Sequence, residues 1–227
     1  LVSHMPHIRY LTGFTGSNGL CIIARKNQHF LTDHRYRDQS KTEIKGFEIQ
    51  VSWIGLIEEA GRLRLLKGKS RVGFESRNLS VFSYNNLKKL FPGSAFVPTL
   101  SVIENIAAVK DEFEIESIKR AVRITEKVFQ GLLHFLKPGL TEQEVAAKIG
   151  YLHRGYGAEA DAFDAIVASG IRGSLPHARA SGKKIMRGEL VTLDFGCRLD
   201  GYNSDLTRTV AVGRPTARAR KVYQIVL

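Results

Sequence analysis

Cysteine, tryptophan and proline are all scarce: two, one and six among 227 residues. Two thiols, Cys21 and Cys197, cannot make a disulfide framework or a thiolate zinc cluster, so a reducing, cytoplasmic setting is the expectation. No run approaches the roughly eighteen apolar residues of a membrane-crossing helix, and no basic-then-apolar leader opens the sequence as given. Membrane insertion and secretion are therefore not expected. There is no internal repeat and no low-complexity segment. Acidic residues are also short, 22 against 34 basic, giving a formal charge of +12. Such a surplus raises nucleic acid or an acidic partner as a candidate. Scattered lysine and arginine are more often solvated surface, however, and most of the surplus falls within residues 1–100, so nucleic acid is not the expected partner. What remains, 43% apolar and 25% charged residues, is globular composition with length for one large or two modest domains.

Residues 1 to about 105 alternate short apolar runs with glycine-rich or polar breaks. Leu20–Ala24, Phe30–Thr32, Val72–Phe74 and Phe96–Leu100 read as strands of an α/β layer, with helices at Leu56–Leu66 and Ser80–Leu90. Near Ile103–Val109 the pattern changes to a long amphipathic helix carrying Ile115, Ile118, Val122, Phe129, Leu132 and Leu136 on one face. Lys137-Pro138-Gly139 ends it, and Thr141 with Glu144 forms the capping box of a second helix. Strand signals dominate afterwards, at Phe163–Ala168, Leu190–Phe195 and Ser204–Val212. The expected division is 1–105 and 106–227. Gly13, Gly16 and Gly19 lack the Gly-Lys-Ser/Thr of a phosphate loop. Trp53 fits either an interface or a core.

The most informative stretch is LVTLDFGCRLDGYNSDLTRTVAVG, residues 190–213. It reads as two alternating strands joined by an Asp200-Gly201 turn. A turn centred between Leu199 and Asp200 would set Asp194 directly opposite Asp205. Opposed like charges destabilise a strand pair unless something compensates, and a hard divalent cation held by both carboxylates would do so. Alternatively, either aspartate could cap a turn or pair with Arg198 or Arg208, and a bulge would separate them. Spacing alone leaves both readings open. His177, in the polar loop SLPHARAS, could donate to a substrate or bind metal, although a lone loop histidine is commonly just surface. His134 and His153 read as surface or core-edge residues of helices, and His29 and His34 as metal-free.

Taken together, FDAIVASG, LPHARAS and GELVTLDFGCRLDGYNSDLTRTVAVG resemble the catalytic domain of the M24 metallopeptidases, which include Xaa-Pro aminopeptidase, prolidase and methionine aminopeptidase and share the pita-bread fold. Upstream, IRYLTGFTGSNG and FLTDHRYRDQS resemble the creatinase-like N-terminal α/β domain of the proline-specific members. The resemblance implies an α/β (α+β) chain: a creatinase-like N-terminal domain, then the first part of a pita-bread catalytic domain. It implies a metal-dependent Xaa-Pro aminopeptidase or dipeptidase in which two ions share the attacking hydroxide and polarise the scissile carbonyl. The ions would be manganese, with cobalt or zinc as alternatives. Asp194 would ligate one ion and Asp205 would bridge both. His177 would contact substrate and steady the oxyanion, and Phe163 would lie near the substrate pocket. Thr207 and Thr209 could orient the Asp205 carboxylate, or serve only as good strand formers. Further implications are a proline-containing peptide substrate and a homodimer.

The family completes its site with a histidine and two glutamates further along, which have no counterpart here. Residues 1–227 are therefore expected to lack activity alone, and both ends look cut. At the start, LVSHMPHIRYLTGF is expected to continue a first strand and its following loop. Creatinase shares the fold without a metal, and the retained Asp194 and Asp205 argue against it. The rival from another class is a non-catalytic, peptidase-like module that binds protein or nucleic acid.

Overall fold

A computed structural model describes residues 1–66 and 68–227 and divides the chain into two compact units, Leu1–Val109 and Lys110–Leu227. The first runs helix α1 (Met5–Thr12), strands β1 (Leu20–Ile23) and β2 (Gln28–Asp33), α2 (Arg37–Glu43), β3 (Glu48–Ser52), α3 (Leu56–Arg62), β4 (Arg71–Glu75), α4 (Val81–Leu90), β5 (Ala95–Thr99) and α5 (Val102–Ala108). β1 pairs antiparallel with β2 and β2 parallel with β3, while β4 and β5 form a separate parallel pair. Both faces of the β1–β2 layer are covered. Leu20, Ile22 and Leu31 pack with Ala60, Leu87 and Phe91, whereas Cys21 and Phe30 pack with Ile8, Phe14 and Ile44. A layer buried on both sides needs no polar alternation, so its strands read as continuous apolar runs.

The opening segment departs from the expected strand and loop. Only Val2 pairs, with Cys21, and a helix starts after His4. Pro6 is compatible with this because it sits in the first turn, where a missing N–H breaks no helical bond. Gly13, at φ 76°, ends the helix in the left-handed region that glycine tolerates. Trp53 is 71% exposed and stacks flat on the His34 ring at 4.5 Å, so it does not belong to the core.

The second unit contains α6 (Glu112–Phe135), α7 (Glu142–Gly155), short β6 (Ala160–Asp161), β7 (Ile166–Ser169), β8 (Leu190–Phe195), β9 (Cys197–Leu199), β10 (Tyr202–Asn203), β11 (Leu206–Ala211) and α8 (Ala217–Val226). The long amphipathic helix begins at Glu112, just after the change of pattern at Ile103–Val109, where Asp111 and Glu114 close a reciprocal capping box. Thr141 and Glu144 close a second one at α7. The sheets are antiparallel, in the orders β11-β8-β7 and β10-β9-β6. Val128 and Leu132 of α6 and Val145 and Ile149 of α7 pack on Val167, Val191, Leu193 and Phe195. These helices cover one face of the larger sheet. Ile166, Ala168, Thr192, Asp194, Thr207 and Thr209 alternate onto the other. His153 proves fully buried rather than a surface or core-edge residue, because α7 turns it toward Phe195, and its Nδ1 lies 2.6 Å from Asp161 Oδ1.

Candidate metal centre

The Asp-Gly turn fixes the hairpin register. Asp200 and Gly201 both have positive φ, 52° and 84°, the requirement for the two central residues of a type I′ turn. The hairpin is therefore centred between Asp200 and Gly201, not between Leu199 and Asp200. Leu199 faces Tyr202, Arg198 faces Asn203, and Asp194 faces Thr207. The expected direct Asp194–Asp205 pairing is thus incorrect by one step of the alternation. Ser204 donates its backbone N–H to Cys197 and Leu206 pairs with Phe195, which places Asp205 beside Gly196. A Cβ on Gly196 would lie 1.9 Å from the Ser204 carbonyl oxygen and 3.3 Å from Asp205 Cα, so only glycine lets the strands approach here. Asp194 and Asp205 are diagonal neighbours across the strand pair. Such positions are about 7–8 Å apart along the backbone, close enough for two carboxylates to converge on ions between them.

The surroundings favour ligation over structural pairing. Thr207 donates its hydroxyl to Asp194 Oδ1 at 2.9 Å, which holds one oxygen of a half-buried carboxylate. Thr209 instead lies 3.4 Å from the Thr192 hydroxyl and does not reach Asp205. Arg198 pairs with Glu159 at 3.8 Å, and Arg208 donates to the Thr207 carbonyl. Among the described residues neither aspartate has an arginine partner, which removes the ion-pair alternative. The donors are hard oxygens, suited to manganese, magnesium or calcium. Two carboxylates are nevertheless too few for two ions, and among the described residues no third histidine, cysteine or carboxylate joins them.

His177 occupies a turn after the 3-10 segment Gly170–Ser174, with its ring exposed. The segment folds against the sheet's polar face: a Cβ on Gly173 would lie 3.5 Å from Thr192 Oγ1. Among the described residues His177 makes no hydrogen bond to either aspartate. Phe163 is half-buried in the bend before β7, and the preceding Ala162 N–H donates to the Gly196 carbonyl at 2.9 Å. That bond ties Phe163's bend to the glycine flanked by the aspartates. One important residue was not legible in the sequence. Glu142, fully buried at the start of α7, accepts from the backbone and hydroxyl of both Ser169 and Ser181 and from Arg172 Nε at 3.0 Å. These bonds pin both ends of the loop that carries His177. Burial pushes the Glu142 carboxyl pKa up, but the bonds from Ser181 and Ser169 outweigh it and hold the group below its ordinary value.

Residues 1–109 match the creatinase/prolidase N-terminal domain, and residues 116–227 match metallopeptidase family M24. An uncharacterized peptidase of Bacillus subtilis, YqhT, is 40% identical over all of this chain, which covers 64% of that protein. A Xaa-Pro dipeptidase of Pyrococcus horikoshii is 34% identical over the whole chain, which covers 63% of it. Among solved structures, a Xaa-Pro dipeptidase from Bacillus anthracis superposes with a TM-score of 0.92 at 37% identity, over 99% of this chain and 63% of that one. The chain thus spans a little under two thirds of the length of these relatives. Across that span it belongs to the M24 metallopeptidases that carry a creatinase/prolidase N-terminal domain.

Proposed function

We propose that this chain belongs to a metal-dependent exopeptidase that removes the residue preceding proline at a peptide N-terminus, as a Xaa-Pro dipeptidase or aminopeptidase. The observation that carries the reading is the pair Asp194 and Asp205, diagonal across a polar sheet face and without an arginine partner among the described residues. Their oxygens fit two hard divalent ions, manganese first, with cobalt or zinc as alternatives. Bound ions would supply a reactive water at neutral pH and Lewis-acid polarisation of the scissile carbonyl. Thr207 keeps Asp194 oriented by occupying one lone pair of Oδ1. His177, on a loop held at both ends by Glu142, would donate to the carbonyl oxygen as negative charge develops. Phe163 contributes to the substrate pocket. A proline amide has no N–H for a backbone-like contact, so recognition falls on the ring and on the free amine of the preceding residue.

The protein is expected to act as a cytoplasmic homodimer on proline-containing peptides. Residues 1–227 alone are expected to bind manganese weakly and to leave Xaa-Pro dipeptides intact, since two carboxylates cannot hold two ions. Manganese titration of the chain tests the ligand assignment: Asp194→Asn and Asp205→Asn should each abolish binding. Equal binding by both variants would overturn it. Manganese-dependent hydrolysis of a Xaa-Pro dipeptide by residues 1–227 would refute the claim that further ligands are needed.

A further inference from the structure

We infer that the first unit holds a separate zinc-type cation site formed by His4, His7 and Glu75. His4 is the residue before α1 and His7 lies in its first turn, three positions on, so both side chains share one side of the helix start. Glu75 is the last residue of β4. One donor atom from each of the three lies within 4.8 Å of the others. His7 Nδ1 is hydrogen-bonded to Glu75 Oε1, and the His4 and His7 rings meet edge to face with centroids 4.6 Å apart. Glu75 Oε2 accepts the backbone N–H groups of Ser3 and His4 at 2.7 and 2.9 Å. The carboxylate is thereby fixed with Oε1 directed at the imidazoles. The His7 and Glu75 side chains are only 14% and 12% exposed.

A purely structural cluster accounts for His7 and Glu75, which are hydrogen-bonded to each other at a helix start. It does not account for His4, whose Nδ1 is buried and has no hydrogen-bond partner. Buried polar atoms are nearly always paired, so an orphaned imidazole beside a second imidazole and an anchored carboxylate points to a missing ligand. Two nitrogens and one oxygen suit a borderline cation such as zinc, bound at about 2.0–2.2 Å in a tetrahedral arrangement with water as fourth ligand. In such a shell the ligand atoms lie about 3.3 Å apart. His4 must therefore move inward and the His7–Glu75 contact must open. Both are side-chain adjustments within a mostly buried cluster. The two Glu75-bound N–H groups would then orient the carboxylate from outside the metal shell. This donor set is softer than that of Asp194 and Asp205, so the two sites should sort different metals.

The test uses residues 1–227 carrying Asp194→Asn and Asp205→Asn, titrated with zinc against a chromophoric chelator and with cobalt followed by visible absorption. One zinc equivalent and a tetrahedral cobalt spectrum are expected. His4→Ala and His7→Gln should each weaken uptake more than about tenfold. His4→Ala leaves the His7–Glu75 bond in place, and a melting midpoint unchanged in the absence of zinc would show that it folds. Absence of zinc uptake, or uptake unchanged by His4→Ala, would overturn the assignment.

Discussion

Asp194 shows what single residues contribute. Its carboxylate is half-buried on the polar face and held through one oxygen by the Thr207 hydroxyl, whereas Thr209 spends its hydroxyl on Thr192. Thr207→Val should lower manganese affinity of the chain by about 10–100-fold, the usual cost of removing a group that orients a ligand. Thr209→Val should change it little. Titration of the two variants side by side checks the difference. Cys21 offers a second prediction, because burial pushes its thiol up to about 12. The reactive thiolate is then essentially absent at neutral pH, and Cys197 is buried as well. A thiol-specific chromogenic reagent should find neither cysteine in the folded chain and both after denaturation. The identities and spacing of Asp194, Asp205 and His177 were legible in the sequence. Their geometry was not, because assigning the Asp-Gly turn to the wrong central pair shifts every cross-strand partner while leaving the alternation intact.

Elements carry the positioning. Gly196 permits the hairpin to close where Asp205 sits, so Gly196→Ala should destabilise the second unit by about 1–3 kcal/mol and weaken metal binding, read from melting and titration together. Glu142 ties the end of β7 to Ser181 across the His177 loop. Glu142→Gln should cost about 3 kcal/mol and speed amide exchange across residues 170–183, because a buried network loses its anion. It also predicts a pH dependence. The folded-state pKa of Glu142 lies below its unfolded value, so its contribution is full above the unfolded carboxylate range and is lost as pH falls through the folded value. The Gln variant should therefore show a flatter acid limb in stability against pH. At this scale the capping box at Thr141 and most strands were legible, since their signals are local. Helix α1 and strand β3 were not. Pro6 resembles a turn signal but is tolerated in a first helical turn, and Glu48-Ile49-Gln50-Val51-Ser52 is too polar for an apolar run to mark it. Burial of Glu142 depends on partners 27 and 39 positions away, which no local pattern encodes.

For the molecule as a whole, the family and the two-part composition were readable because they rest on long motifs rather than on register. The basic surplus has no concentrated role in the candidate site, where the two assigned ligands are acidic. No helix among the described residues is long and apolar enough to cross a membrane. The chain covers 63–64% of the length of these relatives, and its second unit carries the two carboxylates proposed as metal ligands, diagonal across one strand pair. The most direct measurement is the paramagnetic resonance signal of free manganese during titration with residues 1–227, compared with Asp194→Asn and Asp205→Asn. Weak but specific uptake by the parent chain, lost in each variant with the melting midpoint unchanged, is the predicted result. Uptake that is the same in all three chains would contradict it.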